Sequence, residues 1–490
     1  MSEQRAIVIG AGMGGLAAAA ELAANGWRVS HFERHNVPGG KMREVNIAGR
    51  PIDSGPTVFT MRWVFDALFS ACGKTLADYV NIRAADDLAR HSWLDGARLD
   101  LFADTERSVA AIETFSDAAN AAAYRQFVAD SGRIFDTLDA PFMRASRPSM
   151  LELSRRVGLL RTGDMLATKP FVSLWRELGR RFSDPRLQQL FGRYATYCGS
   201  SPFAAPATLM LIAEAERRGV WYVDGGMQRF AEGIARLGRE LGVEQRFGTG
   251  VSEILTADGR ISGVVDESGA AHSSAVVIYA GDTDALADGL LGEGARAAVR
   301  RRARADRSLS AITLSLVGHV DGWQLGHHTV LFGDNYPEEF AAIFSRGELP
   351  AVPTLYLCAQ DRESDPAKAP HEERLFILMN APATELSDDV LASARQRIDQ
   401  QLRAHGLTVT TTDSQSVLTS PNEFGRRFTG SHGSLYGRVT HGWMGSFQRD
   451  GSVSRLPGLY LAGGSVHPGA GIPMAAQSGR LAAAAVSHSA

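Results

Sequence analysis

The sequence predicts an α/β protein in which the first and last segments of the chain build one nucleotide-binding unit. Three observations carry this expectation. The chain opens with a strand, a glycine turn and a helix, a second strand then ends in an acid about twenty residues on, and the far end closes with another strand, turn and helix. Between these ends lie long helical and β-patterned stretches, so the expected architecture is a Rossmann-type fold interleaved with a mixed-sheet domain and a helical subdomain.

Arg5 to Gly10 reads as a buried strand, and an alanine-rich helix from about Gly14 to Asn25 follows, stopped by Gly26. The turn is Gly10-Ala11-Gly12-Met13-Gly14-Gly15. Gly10 suits the tight turn, Gly12 allows a pyrophosphate close to the backbone, and Gly15 allows the helix to pack on the strand. The helix tip at Met13 and Gly14 offers free N–H groups to an anion. Arg28 to Glu33 reads as the second strand, and Glu33, with Arg34 after it, is placed for the ribose hydroxyls; an acid here disfavours NADP. The apolar run from Ala6 to Ala24 is broken by glycines and by Glu21, which reads as fold rather than as a signal peptide.

NAD and FAD share this fingerprint. Pro38-Gly39-Gly40-Lys41, followed by Asp53-Ser54-Gly55-Pro56-Thr57, favours FAD. Gly40 permits a second backbone approach to the nucleotide, and Lys41 supplies a charge for a phosphate or the flavin ring.

From about Asp117 to Glu216 the pattern is mostly helical, broken at Pro170, Pro185, Pro202 and Pro206. A turn at Val223 to Gly226 precedes a helix from Met227 to Leu241, then strands at Val251 to Leu255 and Arg260 to Asp266 joined by Asp258-Gly259. Further strands are expected at Ala275 to Ala280, Ala311 to Val317, Thr354 to Cys358 and Gly458 to Ala462, with helices at about Asp388 to His405 and Met474 to Ser487. Nucleotide-binding elements thus fall at the start, middle and end. The expected division is a discontinuous FAD-binding domain (1–100, 220–300 and 440–490), a helical substrate- or membrane-facing region (101–219) and a substrate domain with a β-sheet (301–439).

Whole-chain features narrow the class. The net charge of −3 over 490 residues gives no case for nucleic-acid binding. Cys72, Cys198 and Cys358 lie far apart and in no CxxC spacing, so no disulfide framework, iron–sulfur cluster or other metal site is expected. No stretch approaches the roughly twenty apolar residues of a spanning helix, so any membrane contact is peripheral.

The run from Gly458 to Met474, GLYLAGGSVHPGAGIPM, closely resembles the signature of bacterial phytoene desaturases, with Val466 where a smaller or hydroxylated residue is usual. The chain as a whole resembles the flavoprotein superfamily of amine oxidases and carotenoid desaturases. It is most similar there to the 1-hydroxycarotenoid 3,4-desaturases, on the stretches GPTVFTMRWVFDALF (55–69), Tyr197 to Met227, His327 to Phe332 and PTLYLCAQDR (353–362). The resemblance implies FAD contacts at Gly12, Glu33, Lys41, Thr57 and Val58, at Val251 beside the adenine, and at Gly464 and Met474 along the ribityl chain and ring; Gly55 and Ile472 complete the expected set. It implies a C-3,4 desaturation of acyclic 1-hydroxy- or 1-methoxy-carotenoids; the sequence leaves the electron acceptor unknown, with oxygen and a quinone both open. Phytoene desaturation, non-covalent amine or protoporphyrinogen oxidation, and a non-catalytic isoprenoid-binding escort stand as alternatives.

Such chemistry needs no triad and no metal, because the cofactor does the redox step and the protein positions substrate and excludes water. No catalytic base is assigned, and His467 is expected to stabilise its turn. An apolar substrate implies attachment to a membrane surface, expected to be the cytoplasmic face of a bacterial membrane. The expected surface lies between Arg144 and Arg193, where Arg155, Arg156, Arg161, Lys169, Arg176, Arg180 and Arg181 alternate with Leu151, Leu153, Leu159, Leu160, Phe171, Leu174 and Trp175. The basic run from Arg296 to Arg307 is expected to be an exposed helix face.

Overall fold

A computed structural model describes residues 4–158, 162–362 and 370–489. The elements that build the nucleotide-binding unit are β1 (Arg5–Ile9), α1 (Met13–Ala24), β2 (Arg28–Glu33), α2 (Met227–Glu240), β3 (Glu244–Phe247), β4 (Val277–Tyr279), β5 (Leu459–Leu461) and α3 (Ile472–Ser489). The five strands pair in parallel in the order β3-β2-β1-β4-β5. A parallel sheet needs cover on both faces, and the sequence provides it. On one face Ala18 and Leu22 of α1 and Ala482 and Val486 of α3 pack over Val8, Val29 and Ile278. On the other, Ile7, Phe32 and Leu461 meet Ile254 and Val264 of an antiparallel three-stranded sheet, Val251–Ala257, Arg260–Asp266 and Ala271–Ser273. Val466, the departure from the desaturase signature, is fully buried in that same cluster.

An eight-stranded sheet forms the second unit. Its long strand Ser310–Gly322 pairs with Glu373–Ala381, and the ladder continues through Leu355–Ala359 and His328–Leu331 to Asp87–Ser92 and Arg98–Phe102. Leu407–Thr410 and Ser416–Thr419 pair with the other edge of Ser310–Gly322. The boundary expected at residue 100 therefore falls inside this sheet, because the strands from Asp87 to Phe102 add to His328–Leu331 rather than to β1 or β2.

The helical region comprises Thr105–Phe115, Ala118–Leu138, Met150–Val157, Thr162–Ala167, Leu174–Arg181 and Pro185–Gly192. Its helix starts are written locally: Asp104, Asp117, Ser149, Ser173 and Asp184 each accept a first-turn backbone N–H. Tyr124, Phe127, Phe182 and Phe191 interlock beneath them. No helix among the described residues is long and apolar enough to cross a membrane.

Two expectations need correction. The run from Arg296 to Arg307 is exposed at Arg296, Arg300 and Arg301 as expected but is not a continuous helix; it holds only the short turns Glu293–Ala298 and Arg304–Asp306. Arg302 turns inward, its side chain 6% exposed, and donates to Asp450 at 3.0 Å beside the buried Asp284, because these carboxylates offer it partners there. The basic surface between Arg144 and Arg193 is also smaller than expected. Leu153 and Leu174 are core residues, Arg181 and Lys169 pair with Glu177, and Arg156 pairs with Glu152. Leu159, Leu160 and Arg161 lie outside the described residues. Leu151, Phe171, Arg155, Arg176 and Arg180 stay exposed.

Candidate active site

One cavity of about 930 Å³ runs from the glycine turn after β1, past the N-terminus of α3, into the helical region. Gly10, Gly12, Met13, Gly14, Glu33, Arg34, Gly40, Lys41, Gly55, Thr57, Val58, Val251, Gly464, Ile472 and Met474 all line it, although they come from segments up to 464 residues apart (Gly10 to Met474). Gly15 does not line it. A Cβ there would fall 1.8 Å from the Gly10 carbonyl oxygen, so this glycine serves the contact between helix and turn.

The glycine end suits an adenine dinucleotide. Gly12 caps α1 without a side-chain hydrogen bond, and a Cβ built on it would meet nothing within 4 Å, so the space beside this backbone is open. Leu16 is the first helical residue to donate back, to the Gly12 carbonyl, which leaves the N–H groups of the first turn to an anion. Glu33 is buried, and its oxygens accept the Ala11 N–H at 2.6 Å and the His35 N–H at 2.8 Å. A carboxylate has further lone pairs for two ribose hydroxyls. Arg34 stands at the exposed rim, near Glu267 at 3.8 Å.

Lys41 is already engaged. Its ammonium donates to the Leu435 carbonyl at 2.7 Å, and burial pushes its pKa down. Arg449, absent from the sequence expectations, is fully buried at the same cavity and donates to the carbonyls of Gly464 (2.9 Å), Tyr436 and Arg438. Desolvation pulls its pKa down to about 10, so it stays a cation at neutral pH. His467 points its Nε2 at the carbonyls of Phe142 (2.9 Å) and Ala145 (3.0 Å), tying the turn before α3 to the helical region. Burial lowers its pKa to about 4, so the ring is neutral.

Beyond Thr57 the cavity changes character. Phe142, Met143, Met150, Leu153, Met165, Leu209 and Ile212 make an apolar chamber that ends near Pro170 and Trp443. Met150 and Met165 lie next to the exposed Leu151 and Leu166, and the rings of exposed Phe171 and Trp443 lie 5.6 Å apart. A polar wall interrupts the chamber on the side of the large sheet. Thr57 Oγ1 and the Tyr356 hydroxyl are 2.6 Å apart, and Tyr356 also bonds His328 Nδ1 at 2.7 Å. Arg193, Tyr197 and Glu216 form a second polar group there. Thr57 is an expected cofactor contact, and Tyr197, Glu216, His328 and Tyr356 fall within the stretches that carry the family resemblance, but no spacing announces that they meet Arg193, a lone arginine between Phe191 and Tyr194 in an apolar run. His327, His328 and Cys358 also converge, with ligand atoms within 4.8 Å of one another, a wider spread than the roughly 3.5 Å edge of a tetrahedral zinc site.

The chain matches the family model described as flavin containing amine oxidoreductase over residues 13–487. It is 45% identical to a hydroxyneurosporene desaturase of Rubrivivax gelatinosus, over 98% of this chain and 92% of that one. It is 30% identical to a 1-hydroxycarotenoid 3,4-desaturase of a Flavobacterium species, over 98% of each chain. Among solved structures, an oxidoreductase from Methanosarcina mazei has the same fold at a TM-score of 0.59 and 16% identity, covering 99% of this chain and all of that one.

Proposed function

Since the chain belongs to the flavin-containing amine oxidoreductase family, and within it to the carotenoid desaturases, we propose that it introduces the C-3,4 double bond into acyclic 1-hydroxy- or 1-methoxy-carotenoids. The observation that carries this reading is the continuity of one cavity, from the glycine turn and Glu33 to an apolar chamber suited to a polyene. The names of the similar desaturases supply the substrate class.

The reaction converts a C–C single bond to a double bond by loss of a hydride and a proton from adjacent carbons. The cofactor is FAD, which when bound takes the hydride. The protein's residues do the rest by position. The tips of α1 and α3 direct partial positive charge into the cavity, and Arg449 adds a full one beside Gly464. Phe142, Met143, Leu209 and Ile212 exclude water, which keeps a carbocation formed on the polyene from being trapped. No base need act early, because such a cation delocalises along the chain before the proton leaves.

The apolar end supports a peripheral seat on a membrane. Phe171 is 68% exposed and its ring meets that of exposed Trp443, and the helical region also exposes Leu151, Leu166, Arg155, Arg176 and Arg180. A substrate dissolved in lipid would enter between Met150 and Met165 without crossing water. The expected attachment is to the cytoplasmic face of a bacterial membrane.

Expression in bacteria that accumulate acyclic carotenoids tests the reading. New 3,4-double bonds in the 1-hydroxylated pigments support it. Conversion of phytoene with the hydroxylated pigments left untouched would replace it with phytoene desaturation.

A further inference from the structure

Arg193 is costly where it stands. It begins the helical turn Arg193–Cys198 and lines a cavity whose neighbouring walls are largely apolar. Its Nη2 donates to the Tyr197 hydroxyl at 3.2 Å, and its guanidinium lies 5.2 Å from the centre of that ring. The guanidinium makes no other hydrogen bond among the described residues, and its Nε is buried without a partner. A desolvated donor left unpaired is unfavourable unless a ligand completes it.

The charge itself is balanced. Tyr197 donates onward to Glu216, whose other oxygen accepts the Tyr194 hydroxyl at 2.8 Å. Burial would lower the Arg193 pKa, but the Tyr197 phenol and the Glu216 carboxylate more than offset it and leave the group raised. Arg193, Tyr197 and Glu216 are thus a neutral unit that presents N–H donors and seeks an acceptor without charge. A carboxylate in this place would leave a net negative charge inside an apolar chamber. A hydroxyl or ether oxygen suits it.

The place also matters. Arg193 acts electrostatically on both Tyr356 and His328, and Tyr356 is bonded to Thr57, beside Val58 on the cavity wall that continues to the glycine turn. An anchor here would sit close to the reacting end of a chain lying in the chamber. A polyene has no polar feature along most of its length and can slide. An oxygen on C-1 is separated from C-3 by only two C–C bonds.

We infer that Arg193, held by Tyr197 and Glu216, donates a hydrogen bond to the C-1 oxygen of the substrate and thereby sets the register that selects the 3,4 bond. This rests on the proposed 1-hydroxycarotenoid reading and names the residue that makes the choice. A site built to bond a hydroxyl rejects the analogue lacking it, because its donor is then stranded.

The test measures binding separately from turnover. The FAD-loaded protein in detergent micelles is titrated with an acyclic 1-hydroxycarotenoid and with the same polyene lacking the oxygen, and quenching of tryptophan fluorescence is followed. The unsubstituted protein should prefer the hydroxylated chain, and Arg193→Met should cut that preference by about 10- to 100-fold while leaving affinity for the bare polyene unchanged and flavin content normal. An unchanged preference in Arg193→Met, or equal weakening of both ligands, would overturn the inference. Should Arg193→Met not fold, Tyr197→Phe is read by the same ratio, which must fall for the inference to stand. Arg193-dependent preference in a protein that desaturates no carotenoid would sink the proposed function and leave this site intact. Desaturation with a preference indifferent to Arg193 would do the reverse.

Discussion

Gly14 and Gly479 meet backbone to backbone: a Cβ built on Gly479 would fall 2.0 Å from the Gly14 carbonyl oxygen. Through this contact α1 and α3 pack closely enough for both helix tips to open on one cavity.

Adding a methyl group at that contact should push the helices apart. Gly479→Ala is expected to cost about 1–3 kcal/mol, as overpacked interiors do. A lower thermal midpoint together with reduced flavin retention after gel filtration would show it. An unaltered midpoint would mean that the helices can separate freely.

At the other tip, Glu33 has two tasks, since it orders the Ala11 and His35 amides and faces the cavity. Glu33→Ala should weaken FAD binding by about 10- to 100-fold, because it removes charge-assisted bonds and strands buried N–H groups. Gly12→Val should abolish binding by filling the space beside the turn. Flavin occupancy measured by absorbance separates the two, and full occupancy in both would contradict this placement of the nucleotide.

Asp53 makes stability depend on pH. It accepts the Met227 N–H at 2.7 Å at the start of α2, and burial pushes its carboxyl from 3.8 up to about 6, against the hydrogen bonds from Met227 and Gln228 that hold it down. The folded form therefore binds the proton more tightly than the unfolded chain. Its contribution is full below pH 4 and is lost as pH rises through 6, a change of about 3 kcal/mol. Asp53→Asn should flatten this part of the stability profile between pH 4.5 and 7. Parallel thermal midpoints for both proteins across that range would refute the assignment.

The exposed Phe171 and Trp443 should govern attachment to lipid. Replacing both with serine is expected to lower binding to anionic vesicles by at least about 10-fold, with flavin content unchanged. Equal co-sedimentation of the variant and the unsubstituted protein would remove this patch from consideration.

Much of the nucleotide end was legible in the sequence because its signals are local. Gly10, Gly12 and Glu33 sit at fixed offsets within one strand–helix–strand unit, and β2 runs from Arg28 to Glu33 as expected. The GAGIPM run likewise marks the start of α3. The polar wall was not legible, because Tyr356, Thr57 and Arg193 are brought together by sheet pairing and helix packing across hundreds of residues. The basic run at Arg296 to Arg307 misled at Arg302 for a related reason: charge reads as exposure unless its partners, here Asp284 and Asp450, are known.

The parallel sheet joins β1, at residues 5–9, through β4 to β5, at residues 459–461. A growing chain on the ribosome therefore carries its glycine turn without the strand and helix that complete the cradle until residues 459–489 have been made. The cradle is complete only once those residues have folded against β4 and α1, and the early strand must be kept from pairing wrongly until then. Firm retention of FAD is thus a step of late maturation, tied to the arrival of α3.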